Sequence, residues 1–121
     1  VAETLGRRLS AFDIGIDGTL TNQRVWADLP GTAPDGICLD ADGAVWVADA
    51  SSARCIRVAE GGAVLAEVTT SQPCYACMLG GTDGRTLFML TAESSLPAIA
   101  SARRTGRVET CEAPAARAGR P

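Results

Sequence analysis

The tripeptide Pro34-Asp35-Gly36 holds the one carboxylate of this chain whose setting suggests chemistry. Pro34 favours an extended entry and Gly36 permits close backbone approach, which places Asp35 at a sharp turn just ahead of the apolar run 37–39. A carboxylate held there can ligate a hard divalent cation, which prefers oxygen donors. A cation so bound polarises a carbonyl or lowers the pKa of a bound water. The same tripeptide also reads as an ordinary turn in which Asp satisfies the backbone, and taken alone it does not separate the two.

The other candidates are weaker. Asp40-Ala41-Asp42-Gly43 has the outline of a calcium loop, but an EF-hand needs an acid or amide two residues before Asp40, where Cys38 stands; a hairpin turn is the better reading. Cys74-Tyr75-Ala76-Cys77 has C-x-x-C spacing, yet it lies in a strand-like run and lacks a second ligand pair. The chain has no His, so no Ser-His-Asp triad, Cys-His pair or H-E-x-x-H zinc site is complete within it. Five cysteines, an odd number set mostly in apolar runs, indicate reduced core thiols and with them a cytoplasmic location. Trp26 and Trp46 read as packing residues, Tyr75 as a residue that could face a channel mouth, and Arg103-Arg104 as a solvated loop.

Composition bounds the rest. The chain has 121 residues, 46% hydrophobic and only 4% aromatic, so its core is built mainly from Val, Leu, Ile and Ala. A formal charge of −3 gives no support to a nucleic-acid partner. No run approaches the ~20 apolar residues that span a membrane, so no membrane partner is expected.

The elements that must position Asp35 follow from a repeat. Helical periodicity is nearly absent, and short apolar runs at 9–14, 24–29, 37–39, 44–48, 55–59, 63–68, 74–79, 86–90 and 107–111 are separated by Gly-containing turns. The stretch 96–103 is ambiguous and is read as strand or loop. Asp17-Gly18, Gly61-Gly62 and Thr105-Gly106 recur every 44 residues, and Asp42-Gly43 and Asp83-Gly84 are 41 apart. All five pairs are read as hairpin turns, with type I′ geometry suited to the D-G and G-G sequences. Two alternating hairpins per period give four strands per repeat, the blade of a β-propeller, against the competing reading of a sandwich. The run 44–48 does not alternate, as expected of a strand packed on both faces by neighbouring blades. The expectation is therefore an all-β fold of about two and a half four-stranded antiparallel blades, too few to close a ring of about 4–8. The chain is accordingly expected to be part of a longer propeller, with blade faces and strand edges uncovered.

The segment 33–48, which reads P-D-G-x-x-x-D-x-x-G-x-x-W-V-A from Pro34, resembles the signature of the gluconolactonase, regucalcin and luciferin-regenerating-enzyme family. Ala2-Glu3-Thr4 with Arg8-Leu9 and Ala11-Phe12-Asp13 resembles the strand pair before it, and 54–57 with Glu60-Gly61-Gly62 the outer hairpin of the same blade. Cys77-Met78-Leu79-Gly80-Gly81 with 85–88 is similar to the next inner strands, and 106–109 with 119–121 to the closing segment. The resemblance covers the last two-fifths or so of a family member, making residues 1–121 the C-terminal part of a single six-bladed propeller domain whose N-terminal blades precede Val1.

That resemblance implies a divalent cation in the central channel, calcium first and zinc, magnesium or manganese as alternatives, and hydrolysis of a small-molecule lactone. It implies a Glu, an Asn and the Asp of the P-D-G motif as ligands. Only the last falls in this chain, so Asp35 is both the metal ligand and, as proton acceptor for the attacking water, the catalytic residue. On this reading the enzyme is active only at full length. The competing readings are a non-catalytic propeller that binds a metal or a protein partner, and a related hydrolase of phosphotriesters or acyl esters.

Overall fold

Residues 1–119 are described by a computed structural model. Among the described residues the nine apolar runs lie in nine strands and Ala2–Glu3 adds a tenth: β1 (Ala2–Glu3), β2 (Arg8–Ile14), β3 (Leu20–Asp28), β4 (Pro34–Leu39), β5 (Val45–Asp49), β6 (Arg54–Val58), β7 (Val64–Thr69), β8 (Cys74–Gly80), β9 (Thr86–Thr91) and β10 (Arg107–Glu112). They assemble into three antiparallel sheets ordered β1-β2-β3, β4-β5-β6-β7 and β8-β9-β10. Ten strands are the content of two and a half four-stranded blades, with one blade whole and two partial.

β5 and β6 of the middle sheet are buried on both sides, which explains why the run 44–48 does not alternate, whereas the outer strand β7 is largely exposed. One face sets Val45, Val47, Ile56 and Val58 against Leu9, Ala27 and Leu29 of the first sheet. The other sets Cys38, Trp46, Ala48 and Cys55 against Cys74, Cys77, Leu79, Leu87 and Met89 of the third. Every residue of β5 is consequently buried. The outer sheets show apolar side chains at their surfaces, among them Ile14 and Leu20 in the first and Met78, Leu90 and Val108 in the third.

Four of the five expected turns join the strands on either side of them: β2–β3 at Asp17-Gly18, β4–β5 at Asp42-Gly43, β6–β7 at Gly61-Gly62 and β8–β9 at Asp83-Gly84. Their geometry departs from type I′ at the D-G pairs, where only the glycine has positive φ, as at Gly43 with φ 82°. The Gly43 N–H donates to the Asp40 carbonyl and the Asp40 N–H to the Ala44 carbonyl, a type I turn followed by a left-handed glycine. Aspartate side chains brace these turns: the carboxylates of Asp17 and Asp83 accept the N–H groups of Thr19 and Arg85. At β4–β5 the Asp40 carboxylate accepts the N–H groups of Asp42 and Ala44 and pairs with the Arg57 guanidinium at 2.6 Å. Its oxygens are thus committed to a hairpin turn.

Thr105-Gly106 is different. β9 and β10 pair from Thr91↔Arg107, but the connection is the long segment 92–106, so the pair ends a loop instead of forming a tight turn. Part of the stretch 96–103, read from sequence as strand or loop, forms the short helix α1 (Pro97–Ala100). Pro97, with its φ preset, starts that helix, and the Ala100 N–H closes its turn on the Leu96 carbonyl. Thr105 is held by Gln72, which donates to its carbonyl, and accepts the Glu93 N–H on its hydroxyl.

After β10 the chain returns beneath the middle and third sheets, where Ala41 donates to the Ala116 carbonyl and Arg117 to the Gly84 carbonyl. Of the closing segment expected at 119–121, residues 120 and 121 lie outside the described residues.

Candidate functional site

Asp35 lies inside β4, where the sequence suggested a turn just ahead of the strand. Pro34 pairs with Asp49 and Ile37 with Val47, so Asp35 and Gly36 together face Ala48 alone. This is a β-bulge, a device that bends the strand and re-aims a side chain at the end of a sheet. The bulge leaves Asp35 exposed while Pro34 before it is buried.

The backbone leading into the bulge is tied on every side. Ala33 donates its N–H to the Asp49 carboxylate at 3.0 Å and accepts the Ala50 N–H at 2.9 Å. The Thr4 hydroxyl, from the turn after β1, donates to the Pro34 carbonyl at 2.8 Å. Arg54 reaches the Thr32 hydroxyl at 3.2 Å and the second oxygen of Asp49 at 2.9 Å. The Ser51 N–H and hydroxyl complete the ring of donors about Asp49. Burial opposes ionisation of Asp49, but the Ala33 N–H, Ser51 and Arg54 outweigh it and hold its carboxyl below the usual carboxylate range.

The next inner strand bulges at the same end. Cys74 pairs with Thr91 and Ala76 with Leu90, which leaves Tyr75 as the extra residue. The two bulges touch: a Cβ on Gly36 would stand 2.5 Å from the Ala76 Cα and 3.0 Å from the Tyr75 carbonyl oxygen. Both are backbone atoms, so β4 and β8 converge at this rim only because residue 36 has no side chain. The half-buried Tyr75 thus adjoins Gly36, the residue after Asp35, through its backbone. Gly36→Ala is expected to lose about 1–3 kcal/mol, the scale of an overpacked site. Gly106→Ala, where an added Cβ meets nothing, serves as the neutral reference. Equal urea midpoints for the two variants would contradict the close approach.

Asp35 offers a free-standing carboxylate, the right ligand type for calcium or magnesium. The neighbouring carbonyls are engaged: Pro34 by Thr4, Ala33 by Ala50 and Gly36 by the Cys77 thiol. Among the described residues no three His, Cys, Asp or Glu side chains gather as a metal cluster. The chain therefore fits a cation as the source of one carboxylate ligand. The apolar groove of about 320 Å³ between the first and middle sheets is lined by Leu39 and Val45, at the other end of β4 from Asp35.

Sequence reasoning missed Asp49, Thr4 and Arg54, which hold the bulge. The signal available was local: Asp49 directly follows the W-V-A run and precedes Ser51 by two, the spacing of an Asx turn.

Three antiparallel sheets stacked face to face, with inner strands converging on a rim carboxylate, define this chain as a segment of a β-propeller. Residues 1–93 match the family described as SMP-30/Gluconolactonase/LRE-like region. The chain belongs to that family. Its fold is similar to that of a luciferin-regenerating enzyme, with a TM-score of 0.76, 21% identity, and coverage of 92% of this chain and 40% of that one. It is also similar to a structure described as a calcium-binding protein, regucalcin, from Agrobacterium tumefaciens, with a TM-score of 0.71 and 21% identity over 97% of this chain and 41% of that one. The chain thus spans about two-fifths of the length of each.

Proposed function

We propose that these residues form the part of a divalent-cation-dependent hydrolase that contributes Asp35 to the metal site, and that the reaction opens a sugar lactone or a related lactone. The observation that carries this reading is the mounting of Asp35: an exposed carboxylate on a bulge whose backbone is fixed by Asp49, Thr4 and Arg54. Membership of a family named for gluconolactonase supports the reaction class. The calcium-binding description of the regucalcin structure favours calcium, with zinc, magnesium and manganese as alternatives.

In this reading the Asp35 carboxylate binds on one side and accepts a proton from the attacking water on the other. Gly36 and the bulge in β8 keep the rim narrow, so the carboxylate stays aimed during turnover. A bound cation supplies Lewis acidity toward the lactone carbonyl. Calcium takes about 6–8 oxygen ligands, so the remaining donors belong to blades beyond these residues. The five unpaired cysteines support a cytoplasmic setting.

The test is lactone hydrolysis by a ring-complete protein containing these residues, stripped with chelator and reloaded with each cation in turn. Hydrolysis restored by calcium or another divalent ion is expected, whereas the 121-residue chain alone is expected to bind calcium weakly and to hydrolyse no lactone. Cation binding by the complete protein with no lactone turned over would overturn the catalytic reading in favour of a binding propeller.

A further inference from the structure

Four of the five cysteines meet in one place. Cys38 on β4 and Cys55 on β6 point from the middle sheet into the same core cluster as Cys74 and Cys77 on β8 of the third. Their thiols form a row in which Cys38 contacts Cys77, Cys77 contacts Cys55, and Cys55 contacts Cys74. All four are free and buried, while Cys111, on β10, is half-buried and packs against the same cluster. Burial and hydrophobicity account for one thiol in a core. They do not require four in mutual contact across the seam between two blades.

We propose that this row is an oxidation site whose product is two disulfides, Cys55–Cys74 and Cys38–Cys77, each stapling the middle sheet to the third. This pairing follows from the order of the row, because joining the two central thiols would strand one cysteine at each end. The co-oxidant is a peroxide, small enough to enter a packed seam. For each bond one thiolate attacks a peroxide oxygen, the O–O bond breaks, and a sulfenic acid and hydroxide result. The partner thiol then attacks the sulfenic sulfur, and the released hydroxide and the thiol proton leave as water. Two thiols lose two electrons in all, hydrogen peroxide gains them, and two waters form.

Cys74 is the thiol suited to the first attack. The Cys55 thiol beside it outweighs burial and holds Cys74 below the ordinary thiol range, while Cys55, beside Cys74 and buried, is pushed well above it. The Cys77 sulfur also lies 3.5 Å from the carbonyl oxygens of both Gly36 and Trp46, so its oxidation replaces a contact to the residue next to Asp35 with a covalent link across the seam.

The experiment treats the folded chain with hydrogen peroxide and then counts thiols and maps tryptic peptides under non-reducing conditions. Cleavage after Arg places Cys38 in 25–54, Cys55 in 55–57, and Cys74 with Cys77 in 58–85. The expected result is a fall from five free thiols to one, at Cys111, with a mass loss of about 4 Da and both 25–54 and 55–57 linked to 58–85. The melting temperature should rise and return to its starting value with dithiothreitol. Cys74→Ser, a conservative change, should lose the link to 55–57 and keep the link to 25–54. A link between 25–54 and 55–57, oxidation confined to Cys111, or five surviving thiols would each overturn the proposal. The same linkage pattern from urea-unfolded protein would also overturn it, because the pairing would not then depend on the fold.

Discussion

Asp49→Ala is expected to destabilise this chain by about 3–5 kcal/mol, the scale of removing one partner from a buried charged pair. The side chain is fully buried, and its two oxygens take the N–H of Ala33, the N–H and hydroxyl of Ser51, and the guanidinium of Arg54. Alanine leaves these donors facing a cavity. Arg54 is partly exposed at 29% and recovers some solvation, which places the expected loss toward the lower end of that range. Asp49→Asn keeps one acceptor oxygen and should lose about 1–3 kcal/mol, the scale of an impaired buried hydrogen-bond set. The pH dependence has a fixed sign. The folded-state pKa of Asp49 lies below its ordinary value, so its contribution is fully present above the unfolded carboxylate pKa of about 3.9. That contribution is lost as pH falls through the folded value. The stability gap between wild type and Asp49→Asn, from urea midpoints, should be constant above about pH 5 and close at more acid pH. A gap that widened on acidification would refute the role assigned to Asp49.

The strands were legible because their apolar runs are short and bounded by glycine, and the doubly buried β5 announced itself in the unbroken run 44–48. The turns were legible in place but less so in type. D-G permits positive φ at both positions, and the choice of a type I turn was made by the Asp carboxylates, which cap the N–H two residues on. The interval of 44 residues was a true structural repeat at Gly18 and Gly62, each between the last two strands of a sheet. Gly106 also falls between the last two strands of a sheet, but it ends a loop that contains α1 and forms no tight turn. Asp35 was visible through its P-D-G setting, whereas the bulge beneath it was not. A bulge is a property of two paired strands, and its register depends on the Asp49 carboxylate holding the Ala33 N–H, sixteen residues away in sequence. The thiol row was hidden for the same reason. Cys38 and Cys55 are distant in sequence from the Cys74/Cys77 pair and become its neighbours only when two blades stack.

Asp35→Asn in a ring-complete protein is expected to separate the two duties assigned to this carboxylate. Asparagine preserves the shape and one oxygen ligand, so cation affinity should fall by no more than about tenfold, or 1.4 kcal/mol. It has no basic oxygen at neutral pH, so lactone turnover should drop by about 10²–10⁴-fold, the contribution of a positioned general base. Asp35→Ala removes ligand and base together and should lower both affinity and turnover. Neither change should unfold the protein, because Asp35 is exposed and the ties that hold the bulge run through the backbone of its neighbours Ala33 and Pro34. Calorimetric titration with calcium, lactone hydrolysis and a urea midpoint on the same preparations read the three quantities independently. Equal losses of affinity and turnover in Asp35→Asn would leave Asp35 as a ligand alone. Wild-type hydrolysis by Asp35→Ala would remove it from the site altogether, and the thiol oxidation between Cys55 and Cys74 would stand or fall separately.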